Sequence, residues 1–314
     1  VVFLNKPNKP TEETRKPMLG FRKSHPIFTL PDPGVLTNDI ATVALEAAKD
    51  TQAIKRSLPD VAAEVMALCQ QASSDALRVE KVVSKDPFIS AQIVSVSNSP
   101  MFAPRMPIVS VRDAIVRIGL SNVNDIVMMV VTSSTMFRIR GFEDYVNRVT
   151  SRFPATALAA RLLASTLKLP MEAAFTAGLL HDIGSLILLD RCVKGGKVTF
   201  EMAKEPVYLS VVLDALHTHH TTVGAAVCTV WKLPSSTIEA TLRHHQYKLG
   251  GHHFSANLVA ASDAFADAAG IGQAKKRLID PAEEVFRDVG LTATQVTSVY
   301  DQFEKLLPSL RTQK

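Results

Sequence analysis

Helix punctuation recurs along this chain, and nowhere do apolar and polar residues alternate long enough to define a sheet. Asp86-Pro87 supplies an N-cap followed by a first-turn proline, and Ser110 with Asp113 makes a capping pair with a short acid. Ser236 with Glu239 and Thr292 with Gln295 fit the capping box, while Gly119 is placed to stop the helix "VRDAIVRIG". Two stretches, "GGKVTFEM" around Val198 and "PVYLSVVL" around Leu209, read equally as strand or helix. The expectation is an all-α fold. Hydrophobic residues make up 46% of the 314 and aromatics only 6%, so the core must come mainly from Ala, Val, Leu and Ile, which let helices pack closely.

The N-terminal 33 residues stand apart, because Pro7, Pro10, Pro17, Pro26, Pro31 and Pro33 each remove a backbone donor and bias the preceding residue away from helix. Residues 1–34 therefore read as an extended or disordered tail. Residues 1 to 25 carry Lys6, Lys9, Arg15, Lys16, Arg22 and Lys23 against Glu12 and Glu13, a balance of +4 out of the net +5. The basic excess is a tail property. A nucleic-acid role would need a basic surface interleaved with aromatics, and none is visible, so that role is set aside. A cap at Thr37 or Asn38 leads into "DIATVALEAAKDTQAIKR", a helix over 35–57 that connects, dimerises or docks on its own domain. Cys69, Cys192 and Cys228 are odd in number and far apart, which fits free buried thiols in a reducing cytoplasm. No uninterrupted apolar run reaches the roughly 18 residues of a membrane span, and "DIVMMVV" reads as buried helix. The chain begins Val1-Val2, as a processed or excised piece would, so an upstream domain stays open.

The chemistry concentrates in "AGLLHDIGSL". On a helix His181 and Asp182 would lie about 100° apart around the axis, close enough to address one cation or two adjacent ones. Downstream, in a region otherwise apolar and Ala-rich, stand His220, the pair His244 and His245, and Asp263. Four imidazoles and two carboxylates suffice for a mononuclear or dinuclear centre of a divalent ion such as Mn, Fe, Zn, Mg or Ni. Scattered histidines are more often surface or hydrogen-bonded core residues. In "HTHH" three imidazoles compete, and His220 is preferred because "TTVGAAV" follows it. His252 and His253 lie in a Gly-flanked loop, where simple exposure is expected ahead of ligation. Trp231, the single tryptophan, is expected to pack between lobes with its indole nitrogen bonded. Asn98-Ser99-Pro100 reads as a helix-end turn.

These segments together resemble the HDOD (HD-related output domain) family, a relative of the HD and HD-GYP metal-dependent phosphohydrolases. The resemblance runs from Leu58 to Asp263 through "LPDVAAEVMAL", "VVSKDPFISAQIVSVSNSPMF", "SVRDAIVRIGL", "AGLLHDIGSL", "HHTTVGAAVCTVWKLPSSTIEATLRHHQY" and "LVAASDAFAD". It implies an N-terminal helical lobe over 58–150 and an HD-like lobe over 151–270, together one domain over 58–270, with 271–314 as a helical extension. It also implies ligand roles for His181, Asp182, His220, His244, His245 and Asp263.

The departures are informative. In catalytic HD proteins a histidine stands on the helix before the His-Asp pair, and "RFPATALAARLLA" puts Ala155 there, a methyl that ligates nothing. Of the two subsites the resemblance implies, the first keeps His181, Asp182 and Asp263 without its fourth ligand. The second keeps Asp182, His220, His244 and His245. The Gly-Tyr-Pro signature is also missing from "HHQYKLGGHH", which weakens a cyclic-di-GMP phosphodiesterase reading. Hydrolysis of this kind commonly uses two ions about 3.5 to 4 Å apart to steady attacking and leaving oxygens, so losing one ligand removes the clamp. The expectation is a cytoplasmic bacterial signalling module that binds partner proteins, in reach of homodimerisation, with a degenerate pocket. The alternative is a metal-dependent phosphohydrolase acting on a nucleotide or cyclic dinucleotide.

Overall fold

The computed structural model describes residues 30–310, except 72, 100–101, 103–105, 133–136, 247–253 and 273–274. Among the described residues there is no strand. The tail expected over 1–34 lies outside them up to residue 29, as do His252, His253 and Pro100.

The first helices are α1 (Pro33–Lys49), α2 (Thr51–Arg56), α3 (Asp60–Cys69), α4 (Ala76–Val83), α5 (Pro87–Ser97) and α6 (Val111–Val131). The cap expected at Thr37 or Asn38 lies earlier. Asp32 accepts from the Gly34 N–H at 2.8 Å and Pro33 occupies the first helical position, where its missing donor costs nothing. Leu36, Ile40, Ala44 and Ala47 form the buried stripe of α1, at the i, i+3 and i, i+4 spacings of one helix face. Asp86 and Ser110 cap α5 and α6 as their side chains predict. Asn98 ends α5 and ties its own turn to a distant strand of chain, donating to the Ile108 carbonyl at 2.7 Å and accepting from its N–H at 2.8 Å. Gly119 does not stop α6 but kinks it, with φ of +80°.

The second set is α7 (Glu143–Thr166), α8 (Met171–Leu180), α9 (Ile183–Lys194), α10 (Phe200–Lys204), α11 (Pro206–Val230), α12 (Ser235–Arg243), α13 (Phe254–Ala268), α14 (Glu284–Asp288) and α15 (Ala293–Leu306). Both ambiguous stretches are helical: Thr199 caps α10 and Pro206 opens α11. The Ser236–Glu239 box is absent. Pro234 ends the preceding extended segment and its carbonyl accepts from Thr237 and Ile238, so α12 starts before Ser236, which falls inside the first turn. Thr292 and Gln295 do form the reciprocal box on α15.

Helix α1 packs on α11 and α9, and the Trp231 indole donates to the Ile54 carbonyl of α2 at 3.3 Å. The 35–57 segment thus docks on its own domain. The C-terminal residues are part of the same core: Phe286, Val296, Val299, Tyr300 and Phe303 share one apolar cluster with Leu158 and Leu163 of α7 and Phe265 of α13. Val111–Val131 and the pair Met171–Lys194 are apolar and long enough to cross a bilayer by composition, contrary to the count of uninterrupted runs. Half of the first and most of the second are buried inside the protein, as core helices are.

Candidate metal centre

His181 and Asp182 do not lie within a continuous helix. They form the break between α8 and α9, Asp182 having φ −105° and ψ 7°, and this bend turns both side chains toward α11, α12 and α13. A close helix contact fixes the position. A Cβ on Gly184 would collide with the His220 carbonyl and come within 2.5 Å of the Gly224 nitrogen, so only glycine lets α9 reach α11 at the level of His220.

Around the Asp182 Oδ1 oxygen three imidazoles converge. His220 Nε2 is 3.1 Å and His244 Nε2 3.3 Å from it, His220 Nε2 and His244 Nε2 are 3.4 Å apart, and His245 Nε2 is 3.2 Å from His220 Nε2. One donor atom from each of these four residues lies within 4.8 Å of the others. His220 and His244 are buried, while His245 is the exposed member at the rim. Its ring stacks 4.7 Å from that of His217, the neighbour passed over in the choice of His220.

The outer nitrogens decide what the inner ones can do. His220 Nδ1 donates to the His217 carbonyl at 2.7 Å and His244 Nδ1 to the Thr241 carbonyl at 3.1 Å. A neutral imidazole with its proton at Nδ1 presents a lone pair at Nε2. Burial, followed by the nearby His181 charge, holds His244 below the ordinary histidine value despite its bond to Asp182. Partial loss of water, with His244 and His220 alongside, pushes His245 down to about 3. With Nδ1 tied to a backbone carbonyl, His220 and His244 both turn Nε2 toward Asp182 Oδ1. The donor set of three imidazoles and one carboxylate fits a divalent ion favouring imidazole, such as Zn, Fe or Ni, better than Mg.

The other side of Asp182 is built differently. His181 Nδ1 donates to the Gly178 carbonyl at 2.8 Å, and its buried Nε2 lies 3.3 Å from Asp182 Oδ2 and 3.5 Å from Asp263 Oδ1, without the alignment of a hydrogen bond. Burial lowers the His181 pKa, but the Asp182 and Asp263 carboxylates outweigh it and push it up to about 10. Asp182 is held well below the usual carboxylate range, because the His181 charge, with His220 and His244 alongside, overcomes its burial. Asp263 is not in the four-donor group. Its Oδ1 meets Arg152 Nη2 at 2.5 Å and accepts from Thr156 Oγ1 at 3.2 Å, while Arg152 Nη1 reaches Asp267 Oδ1 at 2.5 Å. Opposing its burial, the nearby His181 and the Arg152 charge hold Asp263 low.

Arg152 was not legible as a site residue. A signal existed: it stands alone as a charge in the apolar turn before Ala155, and Asp263 and Asp267 share one face of α13 at i, i+4. Ala155 itself is 1% exposed and packs in the apolar cluster with Leu158 and Phe265. Tyr145 was also missed; it bonds to Ser185, senses Asp182, and burial pushes its phenol up to about 12.

With this geometry in place, the comparisons with known proteins become specific. The HDOD domain family matches residues 56–247, and the chain belongs to that family. A presumed metal-dependent phosphohydrolase from Shewanella amazonensis SB2B superposes with a TM-score of 0.58 at 20% identity, covering 85% of this chain and 99% of its own. An HDOD domain protein of unknown function from Geobacter sulfurreducens gives 0.59 at 18% identity, covering 80% and 91%. A presumed signal-transduction protein from Marinobacter aquaeolei VT8 gives 0.60 at 18% identity, covering 88% and 67%. At these identities the likeness is one of fold. No curated protein matches the sequence.

Proposed function

We propose that this HDOD protein is a bacterial, cytoplasmic signal-transduction module that works by binding partner proteins, and that its pocket holds one divalent ion as a structural centre. The observation that carries this reading is the ion pair between Arg152 and Asp263, which commits to a protein cation the carboxylate that a second ion would need. Asp182, His220, His244 and His245 would hold the ion. Bound there, it supplies a cross-link of the α8–α9 break to α11 and to the end of α12. His220 and His244 orient through their Nδ1 bonds to backbone carbonyls, and Gly184 keeps α9 at the distance where Asp182 can meet them. A two-ion clamp on a phosphodiester has no counterpart among these residues.

Elemental analysis of protein purified without chelator or affinity metal is expected to find one ion per chain. A panel of nucleotides, phosphomonoesters and cyclic dinucleotides is expected to show no turnover. The second reading, a single-ion phosphohydrolase, is favoured by one observation: His245 lies exposed, so the rim of the donor group is open to solvent. Turnover of any substrate in that panel, abolished by Asp182→Ala, would establish the hydrolase and sink the signalling scaffold. The partner is identified by pull-down with the full chain, and a homodimer by its mass in solution.

A further inference from the structure

We propose that Arg152 is a fixed internal cation that closes the His181, Asp182 and Asp263 group to metal, so that the pocket accepts one divalent ion and no second. The inference rests on the metal reading of the four-donor group given above, and deepens it by making the permanence of the Arg152 charge the cause of the one-ion limit.

By its geometry alone the second group should attract a cation. His181 Nε2 is buried and lacks an aligned hydrogen-bond partner, and it faces Asp182 Oδ2 at 3.3 Å and Asp263 Oδ1 at 3.5 Å. Three donors of this kind, one of them on a residue shared with the neighbouring group, are what a second ion would use. Asp263 Oδ1 is already full, however. It accepts from Arg152 Nη2 and from Thr156 Oγ1, which sit four residues apart on one face of α7 and hold the carboxylate between them.

Arg152 is built in firmly. Its side chain is 13% exposed, and Nη1 bonds to Asp267 Oδ1 and, at 3.3 Å, to the Ile271 carbonyl. Its aliphatic stem lies against Gly272, where a Cβ would come within 3.0 Å of Arg152 Cγ. A guanidinium does not lose its proton in a protein, so this positive charge is permanent. An ion placed against Asp263 would meet that charge directly and would have to displace it from two carboxylates. Ala155, one turn along α7, offers no ligand to compensate. Asp182 then addresses the four-donor group through Oδ1, while its Oδ2 faces His181 Nε2.

The test is Mn(II) titration of the full chain after chelator treatment, read by calorimetry and by electron paramagnetic resonance, in which two neighbouring ions give a coupled signal. Wild-type protein is expected to saturate at one ion per chain, even at millimolar Mn(II), with an uncoupled spectrum. Arg152→Met, with helical content unchanged by circular dichroism, is expected to rise toward two ions with coupling. Arg152→Lys, which keeps the charge, is expected to stay at one. If Arg152→Met does not fold, Arg152→Gln carries the same expectation, since it can bond to a carboxylate without charge. Two coupled ions in wild-type protein, or one ion in the folded uncharged variant, overturn the proposal while leaving the four-donor reading intact. No uptake by wild-type protein overturns that reading and this proposal together.

Discussion

The two sides of Asp182 draw on the same residue types and reach opposite electrostatic solutions. Toward α11 and α12, Oδ1 meets the imidazoles of His220 and His244, with His245 against His220, and no Lys or Arg is paired with Asp182 among the described residues. Toward α7 and α13, Oδ2 faces the protonated His181, and Asp263 and Asp267 share the Arg152 guanidinium. One side needs a cation from outside and the other brings its own. Histidines and aspartates in a pocket therefore do not by themselves define a metal subsite; the charge left over after internal pairing does.

Removing the shared residue breaks both sides and gives the largest effect. Asp182→Ala leaves a buried His181 charge without its nearest counter-ion, a change of the kind that costs about 3–5 kcal/mol, and takes the carboxylate from the four-donor group. The expectation is loss of detectable Mn(II) binding in calorimetry and a clear fall in the denaturant midpoint. A variant as stable as wild type would show that His181 is neutral and that the two sides are not electrostatically linked. Gly184→Ala should come next, at about 3 kcal/mol, because the added methyl meets backbone of α11 rather than a yielding side chain. It should weaken metal binding as well by moving His220 from Asp182. Unchanged affinity would mean that the α9–α11 distance does not set the donor geometry.

Much of the fold was legible because helix caps are local chemistry. Asp86, Ser110 and Thr292 each satisfy the donors that their spacing promised. Ser236 misled for a reason just as local, since Pro234 fixed the chain's entry into α12 first. The four donors that converge were also readable, His220 included, whereas the break at His181-Asp182 was not, because an apolar run on both sides looks like one helix. Asp263 misled for a tertiary reason. Its fate depends on Arg152, which lies 111 positions earlier in sequence, and no spacing rule reports a pairing across two helices. Ala155 puts a methyl where the resemblance implies a ligand, and only the packed structure brings the Arg152 charge beside Asp263.

A third buried carboxylate sharpens the contrast, because it has no cation in contact. Asp125 on α6 is 3% exposed, accepts from Thr176 Oγ1 on α8 at 3.0 Å, and leaves Oδ2 without a partner. Burial pushes it up to about 7; Thr176 and the Arg161 charge pull the other way, and Glu172 adds to the rise. Cys69, the other titratable group that senses it, is itself pushed up to about 11 by burial. Because the folded pKa lies above the unfolded value of 3.8, the folded chain holds the proton longer. Its stability should therefore fall as pH rises from about 4 to about 7 and stay level above that, by roughly 2–4 kcal/mol. Asp125→Asn removes this dependence, so the difference between the two proteins should change across that window in urea titrations and be constant outside it. Parallel curves from pH 4 to 8 would place Asp125 with the paired carboxylates.

The smallest expected effect separates the members of the four-donor group itself. His220 and His244 are buried and anchored through Nδ1, so their loss would mix folding with binding, whereas His245 is exposed and meets the group through Nε2 and its ring face. His245→Ala should leave stability within about 0.5 kcal/mol, because the residue lies at the exposed rim rather than in the core. It should still weaken Mn(II) binding about 10-fold, some 1.4 kcal/mol, because a three-donor remnant keeps Asp182, His220 and His244 in place. That split between affinity and stability is the signature of a ligand. Equal affinity in the variant would reduce the group to the two buried imidazoles and the carboxylate, and would make the ring of His245 a cover stacked on His217 and His244 rather than part of the centre.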